Sequence, residues 1–351
     1  MSQLVSLLSD LRIRLILLAC LAITALPLYA AGPTYYVNGS TGNDANAGTL
    51  QAPWKTIQKA ANTVVAGATV NVAAGTYTQR VTVTKSGSSG SLITFQAQGT
   101  VVMKGFNLQG SYLRITGFEI TNVPGNDLNN RTSSTGVYIS GNFDEVSNNY
   151  IHGTNSNGVH VTSAAGNATI RSNRVVSAVE GGLLIQGSNH LIVSNDISHT
   201  VQTHSGMINS SWEADGILFF GTGSTFRNNY IHDITLTDAG NTNAQIDTFR
   251  TWGPCSNVII EQNKIWQVDS TDKGINIGAD TGLVDSITIR NNIVMTNATG
   301  DYAPVVQAGY GGAVNNLRIV NNTMVALNGP AGYAILLYAT VTAAVFKNNA
   351  T

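Results

Sequence analysis

Five residues in the C-terminal half of the chain have types that can do chemistry: Asp215, Asp247, Arg250, Lys273 and Asn276. Each has a fixed offset from the start of a short apolar run. Asp215 precedes Gly216-Ile217-Leu218-Phe219, Asp247 precedes Thr248-Phe249-Arg250-Thr251, and Lys273 precedes Gly274-Ile275-Asn276-Ile277. Two stacked carboxylates can hold Ca²⁺ through oxygen ligands, which also relieves their mutual repulsion, so Asp215 and Asp247 form a candidate metal pair. The same pair can divide acid and base or nucleophile work, provided the carboxyl groups stand about 5 to 9.5 Å apart. Lys273 or Arg250 can remove a proton next to a carboxylate that a cation has neutralised. All of this requires that residues far apart in sequence stand side by side.

A repeat supplies that positioning. Asn-containing turns recur before an apolar or β-branched pair at Asn148-Asn149, Asn173, Asn195, Asn228-Asn229, Asn263, Asn291-Asn292, Asn321-Asn322 and Asn348-Asn349. Their spacing fits one coil of a solenoid of about 22 residues with loops inserted. A strand precedes each turn, as in Thr169-Ile170-Arg171, and an earlier one usually begins with Gly, as in Gly158-Val159-His160-Val161 and Gly182-Leu183-Leu184-Ile185. Three short strands per coil follow, with alternate residues inward and neighbouring coils paired in parallel. Asn tolerates the left-handed backbone of a tight corner, and its amide can bond the Asn of the coils above and below. The expected fold is all-β, a right-handed parallel β-helix of three sheets.

This pattern, from about Val70 to Thr351, resembles the right-handed parallel β-helix of the pectate lyase superfamily. There an Asn ladder occupies the corner between the second and third sheets. The segment from Tyr35-Tyr36-Val37-Asn38-Gly39 through Pro53-Trp54-Lys55-Thr56-Ile57 to Gly75-Thr76-Tyr77 resembles the N-terminal module of family 9 polysaccharide lyases. The resemblance implies a Lys base beside an Asp-rich calcium site, although the Asp-Asp-Gly-x-Asp cluster typical of that site is missing here. Trp54, Ile57, Ala61 and Val64 have helical spacing and are expected to plug the open end of the core. The expected organisation is a leader over 1–31, an N-terminal segment with a capping helix over 32–69, and the β-helix over 70–351. The chain stops just after an Asn turn with no cap, so a truncated or unplugged last coil is expected.

Bulk properties narrow the partners. The 351 residues carry a net charge of −1, and only 11% are charged. No Lys/Arg-rich face stands out that could neutralise phosphates, which argues against nucleic acid and leaves a polysaccharide as the expected partner of a monomer. Arg12 and Arg14 precede the apolar stretch Leu15 to Leu28, with Ala30, Ala31 and Gly32 following, so the leader reads as an export signal to the periplasm or beyond. After its removal no membrane segment is expected. Cys20 leaves with it, so Cys255 has no disulfide partner and reads as a small buried side chain.

The remaining candidates cluster around the same coils. Two long insertions, His199 to Glu213 and Asp233 to Ile246, lead into the coils of Asp215 and Asp247 and are expected to wall a groove. Trp212, and less so Trp252 and Trp266, can offer a stacking face to sugar rings. His160 and Asn276 point outward from the Gly-initiated sheet and can line sugar subsites. His199 and His204 lie in the first insertion, whereas His152 and His232 follow Asn corners away from the groove. Gly42 to Gly48 is a turn-rich loop with the character of a weak cation site. Three functions remain open: β-elimination on an acidic glycan, glycoside hydrolysis, and glycan binding without turnover.

Overall fold

The computed structural model describes residues 32–123, 131–200, 215–235, 238, 246–267, 273–279, 282–297, 304–327 and 333–351. The leader, Trp212 and His204 lie outside the described residues. All described residues belong to one unit, Gly32–Thr351. Every strand in it pairs in parallel with the equivalent strand of the next coil. The first sheet includes Val137–Ile139, Val159–Val161, Gly181–Ser188, Asp215–Thr222, Ile275–Gly278 and Val306–Ala308, with the start of Phe249–Glu261 between Asp215–Thr222 and Ile275–Gly278. The second includes Glu145–Ser147, Thr169–Arg171, Leu191–Val193 and Thr225–Arg227, and the third Tyr150–His152, Arg174–Val176, Asp196–Ser198 and Tyr230–His232.

The core follows from the alternation. In-register Val159, Leu183, Ile217, Phe249, Ile275 and Val306 are all buried, and Ile170, Ile192 and Phe226 face them from the second sheet. The glycines that open the first-sheet strands have a packing reason. A Cβ on Gly158, Gly182 or Gly216 would lie 2.3, 2.4 or 2.6 Å from a methyl of Val175, Ile197 or Ile231 on the third sheet.

At the corner between the second and third sheets, Asn149, Asn173, Asn195, Asn229, Asn263, Asn292, Asn322 and Asn349 form a continuous hydrogen-bonded column. Each Nδ2 donates to the Oδ1 of the next Asn at 2.9–3.1 Å. Each Oδ1 also accepts the backbone N–H of the previous Asn. The left-handed backbone belongs to a different residue, the one just before each column Asn: Asn148, Ser172, Ser194, Asn228, Gln262, Asn291, Asn321 and Asn348. The two jobs expected of one Asn, left-handed backbone and stacked amide, fall on two neighbouring positions of the corner.

A second column, between the first and second sheets, had no repeating sequence signature. Asp144 Oδ1 accepts the Leu113 N–H at 2.9 Å, His190 Nδ1 accepts the Ala168 N–H at 3.1 Å, and Ser224 Oγ accepts the His190 N–H at 3.1 Å. Three residue types thus do one job, supplying an acceptor to the preceding coil. Because Nδ1 accepts, Nε2 carries the proton of His190 and donates to the Gln186 carbonyl at 2.8 Å. Burial lowers the pKa of this imidazole, with the Gln186 bond opposing. Burial also pushes the Asp144 carboxyl up to about 8, offset in part by the Leu113 N–H.

At the N-terminal end, helix Ile57–Thr63 begins at the N-cap Thr56, whose side chain accepts the Lys59 N–H. Trp54, Ile57, Ala61 and Val64 are all buried. The Gln58 amide exchanges two hydrogen bonds, both 2.9 Å, with the backbone of Thr82, so it occupies the free edge of strand Val81–Val83 as a further strand would. Asp44, in the loop read as a weak cation site, accepts the Lys55 and Thr56 N–H groups and the Thr56 hydroxyl. Its carboxylate therefore ties the loop to the start of the helix.

Candidate active site

The outward column of the first sheet runs Tyr138, His160, Leu184, Leu218, Arg250, Asn276 and Gln307 in direct register. Pointing away from the core does not expose these side chains: Arg250 is 2%, Asn276 3% and Gln307 2% accessible. Asp215 and Asp247 are buried too, on the corner that leads into this sheet.

Asp247 is the hub. Asn276 Nδ2 donates to its Oδ2 at 2.7 Å, and Arg250 Nε lies 3.6 Å from the same oxygen. The Lys273 backbone N–H donates to Oδ1 at 3.4 Å, with Lys273 Nζ 3.8 Å away. Gln307 Nε2 donates to Asn276 Oδ1 at 3.2 Å, extending the network by one coil. Asp215 joins from the other side, its Oδ1 accepting the Asp247 N–H at 3.0 Å. The five residues that sequence reading grouped are therefore linked. The Lys273 side chain, 12% accessible, reaches solvent more than Asp247 or Arg250 does.

Local backbone explains why the network sits here. Thr248 takes the place of the packing glycine, and its hydroxyl accepts from Gln267 Nε2 at 2.8 Å while Gln267 Oε1 accepts the Ile234 N–H. The strand that starts there turns Arg250 outward, 4.2 Å above the Trp252 ring. A guanidinium over an indole face is favourable and holds the cation in one orientation.

The fit of calcium can be judged from the donor set. Ca²⁺ takes 6–8 oxygen ligands. The Asp247 oxygens instead face an amide, a guanidinium and the Lys273 amine nitrogen, and among the described residues no three His, Cys, Asp or Glu side chains converge on a point that could hold a metal ion. The described residues do not supply a calcium ligand set at the Asp215–Asp247 pair.

Other candidates divide. His160 is buried, bonds Gln186 Oε1 at 3.2 Å and meets Tyr138 edge-on; Leu184 and Leu218 separate it from Arg250, so it is not part of the network. Trp266 lies on the third sheet in register with His232, away from the cluster. His152 pairs with Glu119, and His232 with Asp196 and Asp233, on that same sheet. His199 pairs with Asp238. Cys255 is a free, buried thiol, pushed up to about 12 by burial. Sequence reading missed Gln307, because Val305 replaces Gly before its strand; the alternation Val306-Gln307-Ala308 was the available signal.

A three-sheet parallel solenoid with a charged, carboxylate-centred network at one corner of its first sheet is the architecture that fold and site define. The family model described as "Pel9A-like, right handed beta helix region" matches residues 35–297, and the chain belongs to that family. No curated protein matches it in sequence. Among solved structures it is similar to an alginate lyase from Paenibacillus sp. str. FPU-7 (TM-score 0.59, 16% identity, covering 82% of this chain and 96% of that one). It is also similar to pectate lyase Pel9A (0.54, 17%, covering 91% and 80%) and to the GH136 lacto-N-biosidase from Eubacterium ramulus (0.57, 13%, covering 89% and 68%). Lyases and a glycosidase thus share the fold. No helix among the described residues is long and apolar enough to cross a membrane.

Proposed function

We propose that the chain is an exported polysaccharide lyase that cleaves a uronic-acid glycan by β-elimination without a metal ion. The observation that carries this reading is the Asp247 hub, which gathers Arg250, Asn276 and Lys273 at one point of the first sheet. Lys273, nearest to solvent, is assigned as the base that takes the C5 proton. Arg250 and Asn276 supply the positive charge and amide that stabilise the carboxylate as negative charge develops on it. The electron pair of the C5–H bond becomes the C4–C5 double bond, the C4–O bond breaks, and the proton passes to the leaving oxygen. Asp247 holds the donors in place, and Asp215 fixes the Asp247 backbone.

The test is incubation with polygalacturonate, alginate and glycosaminoglycans in the presence of chelator, following the absorbance of unsaturated product. The expected result is absorbance from a uronate substrate at a rate the chelator leaves unchanged; no absorbance from any of them overturns the reading. Asp215 and Asp247 lie on adjacent coils, and new reducing ends without unsaturation select glycoside hydrolysis instead. Binding with no product of either kind selects a glycan-binding role.

A further inference from the structure

We infer that an aromatic strip beside the charged network, formed by Trp252, Tyr310 and Tyr338, binds successive sugar rings of an acidic glycan laid along the axis of the coils toward the C-terminal end. The inference rests on the preceding reading that the network receives a uronate. Trp252 points outward two residues after Arg250, with Gly278 opposite it on the next coil. Register carries that position on to Gly309 and then Tyr338, because Ile277 pairs with Ala308 and Ala308 with Leu337. The Tyr310 ring fills the gap, 5.9 Å from Trp252 and 5.4 Å from Tyr338.

Gly278 and Gly309 leave the two middle positions of the column without side chains, and the Tyr310 ring lies between Trp252 and Tyr338. A Cβ on Gly278 would stand 2.7 Å from the Tyr310 backbone carbonyl, so the close approach of the next coil requires glycine there, and the Trp252 ring lies at contact distance from the same point, 3.7 Å away. The backbone positions that carry the strip span three coil steps, about 14 Å at the strand spacing of a β-sheet. One coil step is comparable to one residue of an extended glycan, so chain and scaffold advance together. Tyr310 is half exposed, and Trp252 and Tyr338 are partly so.

Chemistry names the occupant. The C–H faces of pyranose rings pack on aromatic faces, whose electron-rich π surface favours them. At one end of the strip stands the Arg250 guanidinium, over the Trp252 ring. A polymer with an apolar ring face and a carboxylate complements both features.

The test compares wild type with the double variant Tyr310→Ala/Tyr338→Ala in affinity electrophoresis through gels containing polygalacturonate or alginate, together with steady-state kinetics on the polymer and on trisaccharides. The double variant is expected to lose retardation by at least about tenfold in affinity and to show a tenfold higher KM on polymer, with kcat and trisaccharide kinetics unchanged. The Phe double variant, which keeps the rings, is expected to restore binding. Wild-type product formation with unchanged retardation and KM in the Ala variant overturns the strip while leaving the lyase reading intact. Retardation lost in the Ala variant, with no product from wild type, upholds the strip and removes the lyase reading. Wild type that is neither retarded nor active on any polymer overturns both.

Discussion

Two corners of the same coil use one device to different ends. At the corner between the second and third sheets, a side-chain oxygen accepts the backbone N–H of the neighbouring coil, and eight amides repeat this with equal geometry. At the corner leading into the first sheet, Asp215 and Asp247 accept backbone N–H groups in the same manner, but with carboxylates. The neutral column satisfies itself and needs nothing more. The carboxylates draw in Arg250, Lys273 and Asn276 and leave the site committed to charge. The difference shows how a solenoid acquires chemistry: a rung of the scaffold keeps its backbone bond while its charge recruits a network.

The largest effect that can break this comparison is at the hub. Asp247→Asn replaces one of two carboxylate oxygens that face nitrogen donors with an NH2 group and removes the charge opposite Arg250, and is expected to cost about 3 kcal/mol or more of stability and to abolish turnover in the protein that still folds. Turnover near the wild-type level would reduce Asp247 to a scaffold rung. Asn229→Ala, in the middle of the neutral column, removes the acceptor for Asn195 and the donor to Asn263 and the Ile192 carbonyl. It is expected to cost about 3 kcal/mol in urea unfolding, through unsatisfied buried groups, with kcat of the folded fraction unchanged.

A smaller effect separates the third corner. Asp144 keeps its proton up to about pH 8 when folded but releases it near 3.8 when unfolded, so its contribution to stability is fully present below 3.8 and declines as pH rises toward 8. Asp144→Asn cannot titrate. The variant is expected to match wild type below pH 4 and to exceed it above pH 8 by an amount on the order of 2 kcal/mol, read from unfolding midpoints across pH. Equal midpoints at pH 9 would contradict a buried, proton-holding carboxyl. The smallest effect is at Cys255, whose thiol is expected to resist alkylation at pH 8 in native protein and to react only after unfolding. Labelling of native protein at the unfolded rate would contradict a buried thiol at this position.

The fold was legible because its signals repeat. Asn turns, Gly-initiated strands and alternation recur on every coil, so the register of Arg250 on Asn276 could be read by counting. The Asp144–His190–Ser224 column could not, because the job asks only for an acceptor and any of several residue types supplies it. Site membership was legible as a column of offsets, yet burial was not: accessibility depends on what packs over a sheet, which periodicity does not encode. Calcium was expected from two stacked carboxylates together with the resemblance to family 9 polysaccharide lyases. The guanidinium, amine and amide that fill the coordination positions of Asp247 become visible only when three coils are superposed in space.

The most direct measurement is the rate of unsaturated-product formation from a polyuronate by Lys273→Gln, in chelator, with the unfolding midpoint taken on the same preparation. Lys273 is the member of the network nearest to solvent, so its replacement leaves the buried pair of Asp247 and Arg250 in place. A rate reduced at least about a hundredfold with the midpoint kept is the predicted result, as befits loss of a proton-transfer group. A rate within a few-fold of wild type would contradict the claim that this corner is where the chemistry occurs.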